Sequence, residues 1–76
     1  MLRNLKMKEV KLGKYKHFKG KLYEVIGIAN HSETLEEFVV YRPLYESEYS
    51  FWIRPKKMFF EEVEVNGKKV KRFEKI

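Results

Sequence analysis

Polar and aromatic residues alternate through GKYKHF at 13–18, the period-two pattern of a half-buried strand. KGK at 19–21 reads as a turn. LYEVIGIA at 22–29 is apolar on both parities, which suits a strand covered on both sides, and Gly27 in its middle marks a bend or bulge. A polar connection at 30–36 leads into EFVVYRPLY at 37–45, a β-branched and aromatic strand whose Pro43 points to an edge or a bulge near its end. After a turn at 46–48, YSFWIR at 49–54 sends Tyr49, Phe51 and Ile53 one way and Trp52 the other. PKKMF at 55–59 reads as one helical turn, since proline suits the first helical position; it would carry Met58 and Phe59 into the core. The segments 61–65 and 69–73 flank Asn66-Gly67, a strong hairpin signal because both central residues of a type I′ turn need positive φ.

Five or six short antiparallel strands with one short helical turn in 76 residues predict an all-β fold, a small barrel whose closure removes exposed strand edges. Residues 1–10 lack the alternation, so the chain divides into a basic extension, 1–12, and one barrel domain, 13–76. Within the extension, LRNLKMKEVKL is either a frayed end or a weakly amphipathic helix that docks on a partner or an anionic surface. A chain this short buries only about 60–65% of its unfolded surface. There is no cysteine to staple it, so six Phe, five Tyr and one Trp must supply the burial.

Charge narrows the functional classes. The net +6 is uneven: residues 1–21 carry +7, residues 22–62 carry −4 and residues 63–76 carry +3. Lys14, Lys16, Lys19 and Lys21 form a candidate basic patch of the kind nucleic acids meet. The same lysines also serve solubility, and the Lys/Glu-heavy composition resembles thermophile usage. No apolar run approaches the ~20 residues of a membrane span, and residues 1–10 lack the apolar block and small-residue cleavage site of a secretory signal. The expectation is a cytoplasmic protein without a membrane partner.

The blocks that follow are similar to the domain-of-unknown-function family number 1653, a set of short bacterial proteins. They are Gly13-x-Tyr15-x-His17-Phe18-Lys19-Gly20 and Tyr23-x-Val25-Ile26-Gly27-x-Ala29-x-His31-Ser32-Glu33-Thr34. Next come Val39-Val40-Tyr41-Arg42-x-Leu44-Tyr45, Trp52-Ile53-Arg54-Pro55-x-x-Met58-Phe59 and Val65-x-Gly67-Lys68-x-Val70-x-Arg72-Phe73. The chain departs from the pattern at Lys71, where the family usually has proline, and at the unmatched residues 1–12. The resemblance implies an SH3-like barrel and carries no assigned activity.

Two constellations hold the candidate chemistry. His31-Ser32-Glu33-Thr34 is read in three ways: a polar turn closed by side-chain bonds to the backbone, one wall of a ligand site, or a catalytic group with His31 as acid or base. Neighbours in an extended chain face opposite ways, and no oxyanion hole is announced, which weighs against catalysis. Tyr41-Arg42 and Trp52-x-Arg54 form the second, in which two arginines could share a face with an aromatic ring and grip an anion, or could pair with Glu24, Glu33 or Glu37. Two histidines without cysteine or aspartate fall short of a zinc ligand set, and the four glycines are scattered rather than clustered as in a phosphate-binding loop. No metal or cofactor is expected.

The leading expectation is a non-catalytic binding module in which His31, Ser32, Glu33, Thr34, Tyr41, Arg42, Trp52 and Arg54 meet nucleic acid or an acidic protein or peptide. The alternatives are a small enzyme or small-ligand-binding protein using His31 with Arg42 and Arg54, and an adaptor that oligomerises through its aromatic strands.

Overall fold

The computed structural model describes residues 10–76. Most of the proposed basic extension therefore lies outside the described residues. The elements are β1 (Gly13–His17), β2 (Leu22–Asn30), β3 (Glu37–Pro43), β4 (Trp52–Pro55), α1 (Lys56–Phe59), β5 (Glu62–Val65), β6 (Lys68–Lys71) and β7 (Phe73–Lys75). Five strands form one antiparallel sheet in the order β4-β3-β2-β1-β7, and β5 and β6 form a separate hairpin. No helix among the described residues is long and apolar enough to cross a membrane.

The all-β, antiparallel expectation is met, and its local signals have physical counterparts. Asn66 and Gly67 sit at φ 52° and 81°, as the hairpin turn requires. In the β2–β3 ladder Val25 lies opposite Tyr41, yet Gly27 lies opposite Val40, so the strand bulges between Val25 and Gly27.

Four expectations are corrected. The segment 69–73 is not one strand: β6 ends at Lys71 and β7 starts at Phe73. Arg72 between them turns the corner, its N–H donating to the Glu61 carbonyl while its own carbonyl accepts from Phe18 N–H. The segment 49–54 pairs only from Trp52 onward, since Ser47 Oγ accepts the Tyr49 N–H in a local turn that competes with the ladder. Pro55 closes β4 and precedes the helix, and only Phe59 enters the core. Successive helical residues diverge by about 100°, so a single turn aims one of two neighbours inward and leaves Met58 exposed.

The fourth concerns closure. Among the described residues no ladder joins β7 to β4, so hydrogen bonds do not complete a cylinder. Side chains bridge the gap. Phe59, on α1 after the edge strand β4, stacks on Phe73 of the other edge strand, with centroids 4.1 Å apart and rings 2° from parallel. Its edge meets Tyr41 of β3 at 5.3 Å and Tyr15 of β1 at 5.5 Å. These rings, with Val25 and Val39, are the buried core. The two buried tyrosines keep their hydroxyls satisfied: Tyr15 donates to the Lys11 carbonyl at 2.7 Å, and Tyr41 accepts from Arg54 Nε at 3.3 Å.

Removing this bridge tests the account. Phe59→Ala is expected to destabilise the domain by about 3–5 kcal/mol, a large share of what so small a core supplies. Urea unfolding followed by far-UV circular dichroism measures it.

Candidate functional site

The loop joining β2 to β3 is closed by its own side chains. His31 Nδ1 accepts the backbone N–H groups of Glu33, at 3.1 Å, and Thr34, at 3.2 Å. Thr34 Oγ1 accepts the Glu36 N–H, and Asn30 Nδ2 donates to the Leu35 carbonyl. Main-chain bonds from Leu35 N–H to the His31 carbonyl and from His31 N–H to the Glu36 carbonyl complete the turn. His31 thus holds main-chain donors rather than the Ser32 hydroxyl, and the turn reading accounts for it.

The second constellation divides across the sheet. Tyr41 lies opposite Trp52, and Val39 opposite Arg54, so Tyr41, Trp52 and Arg54 share the inner face. Arg54 places its guanidinium 5.7 Å from the Phe73 ring centroid, and no side-chain carboxylate pairs with it among the described residues. Arg42 points the other way. It lies opposite Glu24 and grips its Oε1 with Nη2 at 2.6 Å and Nε at 2.8 Å. The expected shared arginine face is therefore not formed, because Arg42 directly follows the inward Tyr41. Nor does His31 join either arginine: Arg42 is five residues along β3 from Glu37, about 17 Å of strand, and Arg54 turns to Tyr41.

The four candidate lysines do not form one patch. Lys14 lies opposite Glu24, itself opposite Arg42, and Lys16 lies opposite Glu74, so opposite charges alternate across the outer face. Lys19 and Lys21 stand by the turn, over the rings of Phe18, at 5.9 Å, and Tyr45, at 4.3 Å. Tyr45 shares a 2.9 Å hydroxyl contact with Tyr23, whose phenol is pushed up first by burial and then by that bond.

A concavity lies elsewhere. A cleft of about 1060 Å³ opens at the end of the core nearest the 30s loop. Lys11, Lys56, Lys57, Lys71 and Lys75 line it, against Glu36 and Glu37, and its apolar lining includes Tyr15, Phe60 and Phe73. Glu37 is engaged by Lys56 at 3.1 Å, Lys71 lies opposite Glu62 across the β5–β6 hairpin, and Lys75 Nζ donates to the Ile76 O at 2.9 Å, so among the described lining residues lysines outnumber carboxylate side chains five to two. From the loop it takes Asn30, Leu35 and Glu36, while His31, Ser32, Glu33 and Thr34 stay outside. Among the described residues no group of three or more His, Cys, Asp or Glu could hold a metal.

The family model described as "Protein of unknown function (DUF1653)" matches residues 13–75. The chain belongs to this family. It is also similar to a crystal structure of a DUF1653 protein from Bordetella bronchiseptica, at 30% identity over 90% of this chain and 88% of that one, with a TM-score of 0.82. No curated protein matches the chain.

One titration in this DUF1653 domain has a readable sign. His17 packs edge-on against Phe73 at 4.9 Å, and its Nδ1 accepts the Lys19 N–H at 3.1 Å. Burial, then the charges of Arg54, Arg72 and Lys19, lower its pKa. The unfolded chain therefore binds that proton more readily, so the stabilisation is complete above about pH 6.5 and is lost as pH falls below it. The urea midpoint is expected to be lower at about pH 5.5 than at about pH 7.5, with a smaller difference in His17→Phe.

Proposed function

We propose that this DUF1653 domain is a non-catalytic binding module, an SH3-like fold that takes nucleic acid in the lysine-lined cleft. The observation that carries the reading is the excess of lysines over carboxylates around a large concavity with aromatic lining. Lysines on a concave, low-dielectric wall focus field on a polyanion, and each phosphate they neutralise releases a counterion. Lysines beside aromatic rings suit the binding of a polyanion, which is the reading the lining favours.

Fluorescence anisotropy with short labelled oligonucleotides tests it. If four lysines each meet a phosphate, affinity for a single strand falls roughly fifty-fold between about 50 and 200 mM salt. Charge reversal in Lys57→Glu/Lys71→Glu is expected to weaken binding by at least about tenfold at the lower salt. Indifference of the protein to single-stranded and duplex probes alike, at low salt and high concentration, sinks the reading.

A second reading is favoured by the β4 edge. Ile53 on β4 is 61% exposed and Phe51, just before the strand, 62%, and the outer side of β4 pairs with nothing among the described residues. An adaptor that self-associates there gives a concentration-dependent dimer in sedimentation, abolished in Ile53→Lys. A monomer at all concentrations rejects it.

A further inference from the structure

Two apolar side chains at the cleft keep exposed surface that the core does not cover. Leu35 sits at φ 65°, where a β-carbon is disfavoured and glycine or asparagine is usual, yet it is leucine and 68% exposed. Little of its side chain is buried to offset the strained backbone. Phe60, at the end of α1, is 41% exposed, but its ring is held from behind by Phe59 at 4.9 Å and Tyr15 at 6.4 Å. Both line the same cleft, from two different elements, beside Lys57, Lys71 and Lys75. The loop that carries Leu35 is held by bonds to His31, Asn30 and Thr34, so both surfaces are placed in advance.

We infer that the cleft binds single-stranded nucleic acid, with an unstacked base taken against Phe60 and Leu35 while the lysines hold the neighbouring phosphates. The inference rests on the proposed binding of nucleic acid and adds the form of the strand and the residues that read it. A flat apolar body joined to anionic groups is what this lining complements. A base offers both faces only when it leaves the duplex stack, and aromatic stacking of this kind tolerates any base.

The test compares a short single-stranded oligonucleotide with the duplex of the same sequence, at low salt, on the full chain. The wild type is expected to prefer the single strand. Phe60→Ala should weaken that binding by about tenfold, and Phe60→Trp should hold or tighten it, which keeps the test valid if the alanine variant folds poorly. Leu35→Gly and Leu35→Asn relieve the backbone, so they should melt at or above the wild-type temperature while binding the single strand several-fold more weakly. A residue kept for structure would show the reverse. Equal affinity for duplex and single strand overturns the inference, as does a poly-glutamate peptide bound as tightly as the oligonucleotide. If the Leu35 and Phe60 variants bind like wild type while Lys57→Glu/Lys71→Glu does not, this inference fails and the cleft remains. Failure of the wild type to bind either probe overturns the nucleic-acid reading and this one with it.

Discussion

The stack of Phe59 on Phe73 turns a strand meander into a domain. Among the described residues the hydrogen-bonded ladder stops at β4 on one side and β7 on the other, so their backbone bonds leave the sheet open. A one-turn helix would not persist alone, because helix nucleation is costly and four residues return little. It persists because Phe59 fills the space between the edges and meets rings from β1, β3 and β7 at once. Phe60 inherits its position from Phe59, and the Arg54 guanidinium rests on Phe73, so both ends of the inner face depend on this one contact. In a chain without cysteine, aromatic area supplies what a disulfide supplies in other small domains.

A second regularity follows from composition. The chain has no aspartate and only four aliphatic hydroxyls, the groups that ordinarily accept main-chain N–H bonds in turns. Histidine takes that work. His17 Nδ1 accepts from Lys19 after β1, and His31 Nδ1 accepts from Glu33 and Thr34 after β2. At His17, whose pKa burial lowers, protonation at Nδ1 would set a donor against the Lys19 N–H. The histidines that look most chemical in the sequence thus close turns, while the cleft is lined by lysines and a leucine that invite no attention.

What the sequence made legible was local. Asn66-Gly67 announced its hairpin, Gly27 its bulge and the alternation its strands, since each depends on neighbours in the chain. The candidate site was less legible because it depends on register. Tyr41 opposite Trp52 puts Arg54 inside and Arg42 outside, a result that strand membership alone does not yield and a one-residue slip would reverse. The cleft draws on Lys11, on 30–37, on Lys56 to Phe60 and on Lys71 to Lys75, and no one of these segments resembles a site. The break at Arg72 was hidden for the same reason: what divides β6 from β7 is a pair of bonds to Glu61 and Phe18, both more than ten residues away.

Charge shows the same separation between what lies along the chain and what lies on a face. By segment the ends are basic and the middle acidic, which suggests a basic surface near residues 14–21. Folding redistributes this. On the outer face Lys14, Glu24 and Arg42 stand in a row across three strands, and Lys16 stands beside Glu74, so neighbouring charges offset one another. Paired exposed charges of this kind contribute little to stability, and they leave little field. Around the cleft Lys11, Lys56, Lys57, Lys71 and Lys75 meet the carboxylates of Glu36 and Glu37, with Lys56 paired to Glu37 and Lys71 opposite Glu62 across the β5–β6 hairpin. A surplus spread over a convex surface serves solubility, whereas the same surplus around a concavity with aromatic lining acts on whatever enters it. The outer face therefore needs no ligand to account for its charges.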